Sequence, residues 1–358
     1  MKTVLFIGTG GTIASSEGAD GLTPVYGPAA LLDFIPEAAR LCRIRPLPIM
    51  NIDSTNMQPR HWLAIARTIR ENYALYDGFV IAHGTDTLAY TAAMLSYLIQ
   101  NSRKPIVVTG SQRPLAARET DARKNLLDAV RFACDGQPGV YIVFNGQVIN
   151  GCRAVKVRTR SYNAFESVNL PEVASIHGSA IVYNPHYPWP RNQAKERFFD
   201  AIAAEAMLVK LMPGVTPDIF DFIQGKYRGI VIESYGSGGL PFLEEGNILA
   251  KVKELVRAGV IVVLTTQCLF EGGNLNLYEV GRKILQSQVI PAYDMTTEAA
   301  VTKLMWALGQ TSGFAAVREL FLTPIANDLI LAEPAPVPEP EPKQRYLTAP
   351  KEWLTGEF

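Results

Sequence analysis

Residues 79–88 read Phe79-Val80-Ile81-Ala82-His83-Gly84-Thr85-Asp86-Thr87-Leu88. A short apolar run stops at a polar glycine turn and passes into Leu88–Ile99, which has helical spacing. This is how a buried strand hands over to a helix. The same passage opens the chain, where Val4-Leu5-Phe6-Ile7 ends in Gly8-Thr9-Gly10-Gly11-Thr12. Ile44–Met50, Ile106–Thr109 and Val140–Phe144 are further short β-rich runs, with amphipathic segments at Pro59–Tyr73 and Ala122–Ala133. In Pro59–Tyr73 the residues Trp62, Ile65, Ala66, Ile69 and Tyr73 share one helical face, and Pro59 suits a first-turn position. Strand, helix, strand at this rhythm predicts an α/β fold of three layers: a mostly parallel sheet with helices on both faces.

Asn184-Pro185-His186-Tyr187-Pro188-Trp189-Pro190 cannot continue a strand or a helix. We therefore expect an N-terminal α/β domain over 1–184, a linker over 185–205 and a second, smaller α/β domain over 206–332. In the second unit, strands are expected at Met207–Met212, Gly229–Ile232, Val260–Thr265 and Val289–Ala292. Helices are expected near Pro217–Gln224, Ile248–Ala258, Leu277–Gln286 and Thr297–Leu308. The Pro-rich tail, 333–358, favours extended polyproline geometry.

The 34 Lys and Arg residues balance 34 Asp and Glu, so no basic surface exists to neutralise a nucleic-acid backbone or an anionic membrane. Four cysteines without a C-x-x-C pair, and four scattered histidines, suggest neither a disulfide framework nor a metal site. The first apolar run ends at Ile7, short of the roughly 7–15 residues of a secretory signal, and no run reaches the roughly 18 of a membrane span. A cytoplasmic protein is expected, with no cofactor.

In open parallel sheets, ligands bind beyond the carboxyl ends of the strands. Four such ends carry polar residues here: Gly8–Thr12, Asn51-Ile52-Asp53-Ser54-Thr55, His83–Thr87 and Gly110-Ser111-Gln112. They offer hydroxyls, backbone N–H groups and carboxylates, which suit a small zwitterion. The first turn is not a dinucleotide fingerprint, because Ile13 stands where the third glycine is needed. A threonine hydroxyl ionises poorly, so a nucleophilic Thr12 needs a neighbouring base. Taken alone, Thr85 and Asp86 read as helix caps, His83 as a hydrogen-bonded structural residue and Lys156 as a solvated lysine on a strand. A buried Lys156 beside Asp86 could instead relay a proton from Thr85.

Thr9-Gly10-Gly11-Thr12-Ile13-Ala14 and His83-Gly84-Thr85-Asp86-Thr87 resemble the two signature motifs of the bacterial-type L-asparaginase family, and the resemblance extends to about residue 330. It is closest to the cytoplasmic, type I branch. The resemblance implies hydrolysis of the side-chain amide of L-asparagine, with Thr12 as nucleophile, Thr85, Asp86 and Lys156 as a second triad, and Tyr26 on a mobile loop spanning Ser15–Val25. Gly11, Asp53, Ser54, Gly84 and Ser111 are the expected substrate contacts, with the Gly11 N–H and Thr85 as oxyanion donors. Which triad activates Thr12 stays open. A homo-oligomer with sites near subunit interfaces is also implied.

Three positions depart from the family. Gly239 replaces an asparagine, and Glu233 and Val155 replace the arginine and threonine carried by allosterically regulated relatives. The rival readings are a glutaminase, the amidase component of a tRNA-dependent amidotransferase, which usually carries an extra N-terminal domain, and an inactive amino-acid-binding scaffold.

Overall fold

The computed structural model describes residues 1–18, 21–189, 194–275, 281, 283 and 287–331. The tail 333–358 lies outside them, as does most of the helix expected at Leu277–Gln286.

The main sheet has eight strands. Their spatial order is Ala180–Tyr183, Ala174–His177, Gln147–Asn150, Gly139–Phe144, Pro105–Thr109, Gly78–Ala82, Thr3–Gly10 and Arg43–Ile52. The five from Gly139–Phe144 onward run parallel. The other three form an antiparallel edge that the sequence pattern does not resolve. Its first turn is Asn145-Gly146, with φ of 49° and 79°, the residue pair that a two-residue hairpin turn requires. Along the central strands the side chains alternate. Val4, Phe6, Val80, Ala82 and Val107 join one core with Leu126 and Val130, while Leu5, Ile7, Phe79, Ile81 and Val108 join another with Ile65 and Leu95. A sheet buried on both faces needs such apolar residues at every position.

A second, smaller sheet contains Ala206–Lys210, Gly229–Ser234, Ile261–Thr266 and Ile290–Pro291, all parallel. The helices Leu88–Leu98 and Thr297–Gln310 pack together between the two sheets, with Tyr97 stacked on Trp306 at 6.1 Å. Both are buried on nearly every side, the composition of a helix packed from two directions. A helix at Phe314–Leu322 follows, started by Gly313 at φ +83°. The stretch expected as a linker contributes Arg197–Phe198, which pairs with Ile99–Gln100.

The helix expected at Pro217–Gln224 is a single 3-10 turn, Pro217–Phe220. The chain turns away at Gly225, φ +77°, before enough hydrogen bonds accumulate to offset helix nucleation. The four cysteines are free: Cys42 and Cys152 are buried, Cys134 partly so, and Cys268 exposed.

Lys303 and Asp328 are both fully buried and form an ion pair at 2.6 Å, with the Lys303 ammonium also donating to the Thr323 carbonyl at 2.8 Å. Removing one member strands the other's charge, at a typical cost of about 3–5 kcal/mol. Lys303→Met is expected to lower urea-denaturation stability by that order, and adding Asp328→Asn should recover part of the loss. Additive losses in the double variant would show that the two charges do not interact.

Candidate active site

The four polar strand ends lie side by side at one edge of the main sheet, because their strands are parallel neighbours. Two glycines set how closely they approach. A Cβ on Gly11, φ +83°, would lie 2.3 Å from the Gly84 Cα, and one on Gly84 would lie 2.5 Å from the Ser54 Oγ. The three turns therefore meet at distances that only glycine permits.

Thr12 is half-buried at the start of a 3-10 turn, Thr12–Ala14. The Gly11 N–H, expected to be an oxyanion donor, instead donates to the Ile52 carbonyl at 2.9 Å. That hydrogen bond ties the first turn to the neighbouring strand and removes the donor from the site. The Thr12 N–H opens the turn, where N–H groups have no acceptor within the turn itself.

Lys156 lies on a two-stranded ribbon, Ala154–Lys156 paired with Phe165–Ser167, outside both main sheets. Its ammonium donates to Thr85 Oγ1 at 2.8 Å and to Asp86 Oδ1 at 2.6 Å. The Lys156 side chain is 18% exposed and that of Asp86 56%. Neither Thr85 nor Asp86 caps the following helix. Its N-cap is Thr87, which makes no capping bond and donates to the Ser54 carbonyl at 2.9 Å. The capping and solvated-lysine readings thus give way to a contact across some 70 residues of chain.

Gln112 carries no role in the sequence reading. Its amide nitrogen donates to the carbonyls of Arg158 and Ser161, both at 3.2 Å, so its oxygen must accept, and the Thr85 hydroxyl donates to it at 3.4 Å. Two carbonyl acceptors fix which end of the amide is nitrogen. Ser111 faces the other way: it is fully buried and its hydroxyl donates to the Arg113 carbonyl. Asp53 caps the turn Ser54–Asn56 by accepting from the Thr55 N–H at 2.9 Å. Ser54 is buried against Gly84.

The Ser15–Val25 loop forms a hairpin of Ser15–Gly18 on Gly21–Pro24. Its root is fastened where the N–H groups of Val25 and Tyr26 both donate to the Ala14 carbonyl. The Tyr26 main chain thereby meets the turn that carries Thr12, and its ring packs edge-on against Phe34 at 6.2 Å.

His83 is fully buried beneath the second turn. Trp62 Nε1 donates to Thr91 Oγ1 at 2.9 Å, which lies 3.0 Å from His83 Nε2, while His83 Nδ1 lies 2.6 Å from the Gly84 carbonyl. With the Thr91 oxygen accepting from Trp62, its proton goes to Nε2, and Nδ1–H donates to Gly84. Burial holds the ring neutral and pushes its pKa down to about 4.

A cavity of about 250 Å³, apart from these turns, lies at the carboxyl ends of the smaller sheet, lined among others by Tyr90, Val155, Lys210, Glu233 and Glu298. The Glu233 carboxylate accepts from the Thr297 hydroxyl at 2.6 Å and lies 3.4 Å from the Lys210 ammonium. Burial, with Glu233 nearby, pushes the Glu298 carboxyl up to about 7. Gly239 closes a tight turn with Tyr235, whose carbonyl accepts from the Gly239 N–H at 2.7 Å.

The His83 ring gives the fold a defined acid response. The unfolded chain takes up its proton near pH 6.5 and the folded one only near 4. Stability is therefore lost as pH falls through that window, by about 3 kcal/mol in all for a shift of this size. Denaturation midpoints at pH 7, 5.5 and 4.5 should fall less steeply in His83→Gln than in the wild type. Parallel slopes would mean that the ring titrates normally.

Residues 3–188 match the family described as Asparaginase, N-terminal, and residues 206–321 the Glutaminase/Asparaginase C-terminal domain. An L-asparaginase of Thermococcus kodakarensis is 40% identical over 91% of this chain and 98% of its own. The thermostable L-asparaginase structure from that organism superposes with a TM-score of 0.86, covering 92% of this chain and all of that one at 38% identity. L-asparaginase I from Vibrio cholerae gives 0.82 at 30% identity, over 92% and 99% of the two chains. A glutamyl-tRNA(Gln) amidotransferase component from Pyrococcus abyssi is 36% identical over 92% of this chain and 77% of its own. With both domains matched and the signature turns assembled at one sheet edge, the chain belongs to the asparaginase family.

Proposed function

We propose that this protein hydrolyses the side-chain amide of L-asparagine to L-aspartate and ammonia, using Thr12 as nucleophile. The observation that carries the reading is the Lys156 ammonium seated between Thr85 and Asp86, on a turn in main-chain contact with the turn that carries Thr12. The L-asparaginase relatives support the substrate class. The amidotransferase component is the alternative, at 36% identity against 40%.

In this reading the Thr12 oxygen adds to the amide carbon, ammonia leaves with the hydroxyl proton, and water then hydrolyses the acyl-threonine to release the acid and restore the hydroxyl. The Thr12 N–H and Thr85 are the donors for the oxyanion. In the ion-paired state Lys156 donates to Thr85, so it can accept a proton from that hydroxyl only after passing one of its own to the Asp86 carboxylate, 2.6 Å away. Asp86, half exposed, also offers a carboxylate to the substrate ammonium. Tyr26, at the root of the hairpin, is the second group assigned to activating Thr12. A cytoplasmic homo-oligomer is part of the proposal. Among the described residues no helix is long and apolar enough to cross a membrane.

Thr12→Ala and Thr85→Ala should each abolish ammonia release from asparagine while leaving the melting temperature nearly unchanged, since each removes one small hydroxyl from a turn. Lys156→Met keeps the aliphatic length and should lower kcat. Turnover at the wild-type rate in either threonine variant would overturn the assignment.

The cavity at the smaller sheet bears on regulation. An effector carboxylate needs a cation or several donors, whereas Val155 presents none and the Lys210 ammonium and Thr297 hydroxyl are both engaged by Glu233. Without differential binding to two states, asparagine has no means of shifting one toward the other. Initial rates should therefore rise hyperbolically with asparagine, and a Hill coefficient clearly above one would contradict this.

A further inference from the structure

The ribbon that carries Lys156 is hydrogen-bonded into neither large sheet. Phe165, opposite Lys156 in the ribbon, packs on Phe144 at 5.0 Å and fixes which face is buried. At the tip, the Gln112 amide holds the Arg158 and Ser161 carbonyls. The base is held from the second domain, where both legs share one acceptor, the Asp294 carbonyl.

Arg153 immediately precedes the first strand of the ribbon and is fully buried. Its Nη1 donates to the Asp294 main-chain carbonyl at 2.8 Å and lies 2.9 Å from that residue's Oδ2, while its Nε donates to the Asn327 carbonyl at 2.7 Å. Asn169 lies just beyond the second strand, at φ +56°. Its amide nitrogen donates at 2.8 Å to the same Asp294 carbonyl, and its oxygen accepts from the Glu271 N–H at 2.7 Å. Both legs of the ribbon thus converge on one acceptor. Asp294 is itself fixed, because its other carboxylate oxygen accepts from the Ile330 N–H at 2.9 Å. Main-chain contact is close as well: a Cβ on Gly272 would lie 2.6 Å from the Asp294 Cα.

We propose that Asp294, acting through Arg153 and Asn169, is a positioning residue that holds Lys156 against Thr85 and Asp86, so that the second domain sets the geometry of the relay. The inference rests on the amide-hydrolysis reading for its kinetic consequence and on the geometry alone for its structural one. A buried guanidinium is a suitable anchor because its rigid fork loses little freedom on binding, and a ribbon gripped at base and tip cannot slide. Small displacements matter: an error of about 1 Å in a reacting group can lower the rate as much as about a hundredfold.

The test uses Asn169→Gly, which keeps the left-handed backbone accessible and removes only the amide, with Asp294→Asn as a second variant that keeps the main-chain carbonyl and neutralises the carboxylate. Asn169→Gly should lower kcat for asparagine about tenfold with KM within twofold, and should alter the pH profile of kcat through the displaced ammonium. Its crystal structure should show the Lys156 Nζ to Thr85 Oγ1 distance beyond hydrogen-bond range. Asp294→Asn should produce the same pattern; if it does not fold, Asn169→Gly decides the matter. A lowered melting temperature with kcat, its pH profile and the Lys156–Thr85 distance unchanged would make the clamp purely structural and overturn the proposal. Should the wild type release no ammonia from asparagine, the functional reading falls, and the distance in the two crystal structures still decides the clamp.

Discussion

The site depends on one close approach, that of Gly11 to Gly84. These glycines follow the first strand and the strand Gly78–Ala82, which are hydrogen-bonded neighbours, and no side chain fits between the two turns. Any Cβ there would push the turns apart and carry Thr12 away from Thr85. The approach is supported from both sides. The Gly11 N–H is tied to the Ile52 carbonyl, and the Gly84 carbonyl accepts from a buried, neutral His83. The glycines leave the space; the hydrogen bonds hold it at one width.

Around this contact the molecule uses charge in two ways. Lys156 and Asp86 form an ion pair at 2.6 Å in which both side chains keep partial contact with water. Arg153 and Lys303 are fully buried, with carboxylate partners at 2.9 and 2.6 Å. Buried pairs of this kind add little net stability but penalise any arrangement that separates them. The Arg153–Asp294 pair crosses from the N-terminal to the second domain, whereas Lys303–Asp328 lies within the second. The helices Leu88–Leu98 and Thr297–Gln310 supply the apolar part of the contact between the two domains.

The cavity at the end of the smaller sheet shows how one strand can serve two sites. Along Ala154–Lys156 successive side chains point to opposite faces, so Lys156 reaches Thr85 while Val155 lines the cavity beside Glu233 and Glu298. Burial first, and then the neighbouring Glu233 carboxylate, raise the proton affinity of Glu298. The same burial and charges push the Tyr90 hydroxyl up to about 12. The ammonium that lines the cavity, Lys210, is already paired with Glu233 at 3.4 Å.

The α/β class, the parallel core and the polar strand ends were legible in the chain because they follow from local patterns: apolar runs of strand length, helical spacing between them and glycine at the turns. Thr12, Thr85, Asp86 and Lys156 could be named from motif resemblance, but taken alone Thr85–Asp86 read as caps and Lys156 as a solvated lysine. Deciding between those readings required knowing which groups meet across some 70 residues. The antiparallel edge carries one local mark, the Asn145-Gly146 turn, whereas the engaged Gly11 N–H, the inward turn of Ser111, the amide of Gln112 on Thr85 and the convergence of Arg153 and Asn169 on Asp294 have no local signal at all. Sequence periodicity records which face of an element is buried, because burial acts on every turn or every second residue. The partner of a particular hydrogen bond depends on where distant segments come to rest, and only the tertiary structure decides that.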